Sequence, residues 1–402
     1  MIISLQRTAI SFCLTLFMAL PGCAQADQSS ITCNEQDTTS IQSQNNQPRL
    51  FAIAQQGKWG FISRDGKVVI QPNFSSYKDF AEGLAAIKNE NGRAGYIDTS
   101  GKLVIAPQFE DADAFHEQRA GIRLNGKWGF IDQTGKIVVA PQFEYVGWFS
   151  EGRAAVRRNN LWGFIDLNGT FIVQPKFIDH LAFSEGLAGF AIRENGKYRT
   201  GLIDRDGNVA IELKGMDLTF TDGFSNGLIP VEKEEVNIFD PSSKRTVMGF
   251  LDRSGRIAIP LKYDYVSGFE HCLAPIQLDG KWGVIDVKGK IVIAPQYDDK
   301  FRFSEGLAAV QVGQKYGFID RTGKMRIQPR FAYAFDFRDG LASVLEREGG
   351  KWGFIDHNGK IAIPLKLDEQ PSGFFNGLST IRMGSKRGYI NKKGHYVWTP
   401  TK

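Results

Sequence analysis

From about residue 50 onward, short runs of Val, Ile, Phe and Trp alternate with polar, glycine-bearing turns. No stretch there sustains the 3.6-residue spacing of an amphipathic helix. One representative segment contains three such runs, Arg119 to Leu124, Lys127 to Asp132 and Lys136 to Ala140. Branched and aromatic residues bounded by glycine turns are the signal for strands, so the segment predicts a three-stranded antiparallel meander. The link from Asp132 to Lys136 suits a type I turn closed by Gly135 in the left-handed region, with the aspartate accepting from the turn backbone. Proline cannot donate to a ladder, so Pro141 and Phe143 are expected to end the third strand and begin the connector. The fold class read from this pattern is all-β.

The pattern repeats. A glycine inside the second run recurs at Gly60, Gly95, Gly129, Gly163, Gly201, Gly249, Gly283, Gly317, Gly353 and Gly388, and a second follows six residues later in every copy. Seven of the nine intervals are 34 to 36 residues; the others are 38 and 48. A fixed period in this range means repeated units that bury their apolar faces against their neighbours. The expected architecture is a solenoid-like tandem array of three-stranded meanders forming an elongated curved body. The alternative is two five-bladed β-propeller-like halves, because the 48-residue interval falls between the fifth and sixth copies. A glycine within a strand weakens it, so the first glycine implies close approach of another backbone or of a ring, such as an indole of the next unit.

The residues Gly126-Lys127-Trp128-Gly129-Phe130-Ile131-Asp132, the later Pro141 and Phe143, and the connector Phe149-Ser150-Glu151-Gly152 resemble the WG (KWG) repeat family of bacterial proteins. The resemblance covers roughly residues 50 to 400. It implies a β-rich repeat domain, often exported, with no general enzymatic activity and no catalytic residues to carry over. The Trp position also holds Ala94, Thr200, Met248, Tyr316 and Arg387, so tryptophan is preferred and not required. In the connector, Gln118 and Cys272 replace the usual glycine, which marks this second turn as tolerant of side chains.

The N-terminus sets the expected compartment. Arg7 precedes the uncharged run Ala9 to Leu20, too short to span a bilayer as a helix and suited to a signal-peptide core, so residues 1–22 are read as a signal peptide. Leu20-Pro21-Gly22-Cys23 resembles a lipobox, with Cys23 the expected lipidation site. A competing ordinary cleavage site is Ala24-Gln25-Ala26. Residues 23–48, rich in Ser, Thr, Gln, Asn and Asp, read as a disordered tether. The localisation expected is exported: an outer-membrane lipoprotein facing the periplasm, held only through its lipid, or a soluble periplasmic protein. An oxidising periplasm would permit a Cys33–Cys272 bridge. Ten repeats then fill 49–402, with halves 49–231 and 247–402 on either side of an inserted hairpin loop at 232–246.

The formal charge of +5 is spread without a basic block, which argues against nucleic acid. The histidines His116, His180, His271, His357 and His395 occupy different phases of different repeats and form no metal-ligand spacing. The recurring Glu82, Glu151, Glu185 and Glu305 could supply carboxylates for glycoside hydrolysis, but a catalytic pair is asymmetric whereas a turn needs the same residue each time. No enzyme, cofactor or metal is expected. Two binding roles remain: a scaffold for an unknown envelope protein, or a module for cell-wall glycan or peptidoglycan. Candidate interaction residues are Trp148, an aromatic outside the motif position, and Glu232, Glu234, Glu235, Asp240, Lys244 and Arg245 in the lengthened mid-chain link. Insertions in repeat proteins gather on one face, often the binding face.

Overall fold

The computed structural model describes residues 49–401 apart from 195, 214–215, 217 and 237–243. The expected signal peptide and tether, with Cys23 and Cys33, lie outside the described residues, as does Asp240. Ten small antiparallel sheets follow one another along the chain. The third is typical: Asp111–Ala112, Ala120–Leu124, Lys127–Ile131 and Ile137–Phe143, hydrogen-bonded in that order. The three long strands are those read from the sequence. The two-residue strand beside them was not foreseen, because two residues carry no alternation to read.

Each sheet packs on the next through an apolar cluster. Phe130, Val139 and Phe143 of the third sheet, for example, meet Val146, Val156 and Ile165 of the fourth. Ten sheets in an open row would have nine such interfaces. The described residues form ten clusters, and the tenth joins Phe51, Ile53 and Ile62 of the first sheet to Leu378 and Tyr389 of the last. The row is therefore a closed ring, a ten-bladed β-propeller. This corrects the expected open array. Nor do the five-bladed halves appear, since Leu187 and Leu202 of blade five share a cluster with Ile229, Val231 and Leu251 of blade six. Ten blades exceed the usual four to eight; each blade here is thin, with a fourth strand only two residues long in most copies.

The motif glycine has a local cause. A Cβ on Gly129 would lie 2.4 Å from the Val139 carbonyl oxygen and 2.7 Å from the Pro141 nitrogen. Those atoms belong to the third strand of the same blade, where the pairing shifts between Trp128–Phe143 and Phe130–Val139. The glycine thus accommodates a bulge in its own blade, not an indole of the next unit. The third strand also runs through Pro141 to Phe143 instead of stopping at the proline. Proline is tolerated because this is the last strand of its sheet, where an N–H on the open side has no partner to serve.

The second glycine does two jobs. Gly135 has φ of 86°, and a Cβ there would press on Ile105 of the preceding blade at 3.1 Å. Asp132 Oδ1 accepts from the backbone N–H of Thr134 at 2.9 Å and of Lys136 at 3.1 Å, the turn role expected of it. At the connector turn, Gln118 and Cys272 both hold positive φ, 61° and 71°, so the turn keeps its left-handed shape where the side chain changes.

Candidate functional site

The repeated connector carboxylates are structural. Each one reaches the next blade and accepts the backbone N–H at the turn position one repeat later: Glu117 from Gly152 at 2.7 Å, Glu151 from Gly186 at 2.8 Å, Glu185 from Gly227 at 3.0 Å and Glu305 from Gly340 at 2.9 Å. Glu151 is also paired with the Arg205 guanidinium of blade five at 2.8 Å, and Glu305 with His357 of blade nine at 3.3 Å. A charge-assisted hydrogen bond to a backbone amide is among the stronger polar contacts. These clamps give a structural reason for the recurrence of the glutamates along the chain. Among the described residues no three His, Cys, Asp or Glu side chains gather to hold a metal ion.

Two regions depart from the repeat. The first is the mid-chain hairpin Leu228–Val236 and Lys244–Asp252, nine residues per strand. The expected loop at 232–246 is largely strand: pairing continues from Glu232–Met248 to Val236–Lys244. Flanking strands cover only its base. The short strand stops at Glu232 and the third strand begins pairing at Met248. Beyond that, Lys233–Val236 and Lys244–Val247 form a two-stranded ribbon with neither edge paired to a further strand among the described residues. Glu234 and Lys244 are paired across it at 2.8 Å, both largely exposed, while Arg245 reaches Asp264 of the next blade at 2.7 Å. Because strands alternate in direction, the ribbon leaves the ring on the face opposite the connector turns and the Asp-x-x-Gly turns.

The second is a hollow of about 470 Å³ across blades two to five, lined by the connectors of four consecutive blades. Trp148 stands at its edge, 64% exposed. Its ring lies 5.9 Å from that of His116. Tyr145, also exposed, meets Trp162 edge-on at 5.6 Å, and Trp162 lies 4.2 Å from the His180 ring. Burial holds the His180 imidazole below its usual pKa against the pull of Asp179, and its buried Nδ1 has no hydrogen-bond partner among the described residues. Lys78 is paired with Asp113 at the wall. Arg119 and Arg153 use Nε and Nη1 on backbone carbonyls, Leu167 and Gln118 for the one, Arg205 and Gly152 for the other.

The structure thus places Trp148 in a hollow at blades two to five and keeps Glu232, Glu234, Glu235, Lys244 and Arg245 together on the hairpin of blade six. Sequence reading missed Tyr145, three residues before Trp148 in the same repeat, and also His116 and His180, which come from the repeats on either side. The motif tryptophans are not deep core: Trp59, Trp128, Trp162 and Trp352 are half-buried, and Trp282 is buried. Cys272 is disulfide-bonded.

The family model for the WG containing repeat matches residues 59–92, 95–128, 128–162, 162–198, 248–282, 282–316, 316–351 and 352–386. The chain belongs to the WG-repeat family. The stretch between 198 and 248, which holds blade five's Thr200 variant of the motif and the long hairpin, is passed over by the family pattern. No curated protein matches the chain. Among solved structures, BamB from Moraxella catarrhalis is similar at 11% identity and a TM-score of 0.35, over 86% of this chain and 98% of that one. PorZ from Porphyromonas gingivalis, described as a surface component of the type-IX secretion system, is similar at 12% identity and a TM-score of 0.23, over 88% of this chain and 46% of that one.

Proposed function

We propose that this WG-repeat ring is a non-catalytic scaffold of the cell envelope whose mid-chain hairpin captures a protein partner. The observation that carries the reading is the ribbon Lys233–Val236 with Lys244–Val247, which among the described residues pairs with no further strand on either edge. Open edges are templates for an added strand, and an isolated two-stranded ribbon gains stability when a third strand joins. Its exposed charges tune partner choice and on-rate more than affinity. The use of the repeated glutamates as clamps supports a role without catalysis. The signal-peptide pattern and Cys23 support export and lipid attachment, and the disulfide at Cys272 suits an oxidising compartment.

The test is a cross-linking capture from membranes with the full chain and with a variant lacking Val236 to Lys244, closed by Asn-Gly. The reading expects an unchanged circular dichroism spectrum and loss of specific partners in the variant. Recovery of the same partners at the same yield would overturn it. Export by the lipid route is tested separately: Cys23→Ser should move the protein out of the membrane fraction, and unchanged fractionation would favour the Ala24-Gln25-Ala26 site.

A further inference from the structure

The hollow at blades two to five differs in kind from the hairpin. Its volume of about 470 Å³ lies in the range of small-ligand pockets, which run from about 300 to 1,000 Å³. A flat protein interface would not need such a concavity. Trp148 and Tyr145 both line it and are both largely exposed, so two rings border the cavity instead of filling a core.

The polar groups around those rings have a sign. Lys78, Arg119 and Arg153 line the hollow against a single carboxylate, Asp113, which Lys78 already partners. Both arginines are anchored by Nε and Nη1 to backbone carbonyls, and among the described residues the Nη2 of each carries no hydrogen bond, although the Arg119 charge also acts on the Asp132 carboxylate. A guanidinium held at Nε and Nη1 can still donate singly from Nη2 to a carboxylate oxygen, with little rotamer entropy left to lose on binding. His180 lines the wall with its ring, while its Nδ1 is buried away from the hollow and has no partner among the described residues.

From these elements we infer that the hollow is a binding site for an acidic saccharide, with a sugar ring stacked on Trp148 and its carboxylate held by Arg119 and Arg153. Exposed aromatic rings beside an excess of cations match a uronic-acid sugar, which carries an apolar ring face and a carboxylate. The site lies in blades two to five and the ribbon in blade six, with no lining residue in common, so the two can be occupied independently.

The experiment is calorimetric titration of the full chain with trigalacturonate, a neutral galactose-based trisaccharide and triglutamate, alongside tryptophan fluorescence. The expected result is preference for trigalacturonate over the other two, with a fluorescence change on binding. Trp148→Ala, a surface change, should weaken trigalacturonate binding about tenfold. Arg153→Gln should erase the preference over the neutral sugar while the thermal midpoint of Trp148→Ala stays near wild type. No binding of trigalacturonate, equal binding of the neutral sugar, triglutamate binding as tightly, or unchanged affinity in Trp148→Ala would each overturn the inference. None of these outcomes bears on the hairpin, whose deletion should leave saccharide binding as it was.

Discussion

The Tyr389 hydroxyl donates to the Ala52 carbonyl at 2.7 Å, across 337 residues of chain. Around that bond, Phe51 meets Tyr389 edge-on at 5.6 Å, and the Arg387 guanidinium sits 5.4 Å from the centre of the Trp59 ring. The last blade therefore grips the first as any blade grips its neighbour. In a solenoid the two end units are the weak ones; in a ring every unit has two neighbours, provided this closure holds.

Replacing Tyr389 by Phe keeps the ring packing and leaves the buried Ala52 carbonyl unpaired. The expected cost is about 1–3 kcal/mol. Amide exchange should accelerate first in the strands Phe51–Gln55 and Lys386–Asn391, and only later elsewhere. Uniform acceleration across all blades would mean that closure is no local latch.

The motif glycine and the hairpin glycine should respond very differently to a methyl group. Gly129→Ala forces a Cβ to within 2.4 Å of the Val139 oxygen, so a loss of about 3 kcal/mol or more is expected from displaced backbone. Gly126, at φ of 74° with nothing within 4 Å, should lose only about 1–2 kcal/mol as Ala, the cost of a left-handed side chain. Urea midpoints of the two variants make the comparison, and equal losses would contradict the bulge account.

Acid should loosen the turns. Asp320 is held from its ordinary 3.8 down to about 2, chiefly by the Thr322 hydroxyl, with turn amides and Arg326 assisting against desolvation. A carboxylate whose pKa is lower in the folded state contributes stability above its unfolded pKa and loses it as pH falls through the folded one. That contribution should therefore fade between about pH 4 and pH 2. Asn391 fills the same turn position in the tenth blade and accepts from Lys393 and His395 through its amide oxygen. Asp320→Asn should therefore fold, with a shallower decline of the denaturation midpoint between pH 4 and pH 2 than the wild type.

What could be read in advance follows from where the information lies. The strands, the Asp132 turn and the need for Gly129 are set within one repeat, and one repeat of sequence displays them. The partners of Glu151 or Glu305 lie about one repeat away, so the chain showed that these carboxylates recur without showing what they hold. Closure is further removed. It depends on a small turn between neighbouring blades summed ten times, and no local pattern records that angle. Trp148 stood out because it breaks phase, whereas His116 and His180 are ordinary in their own copies and join it only when the connectors converge.

The central claim is the ring, and the separation of the first and last blades tests it most directly. Fluorophores on non-natural side chains at Gln56 and Ser385, both exposed hairpin tips, would sit on adjacent blades; a control pair at Asn125 and Asn159 spans blades three and four. The ring predicts transfer efficiency for the Gln56–Ser385 pair close to that of the control. Efficiency far below the control, as for the two ends of an extended array, would contradict it.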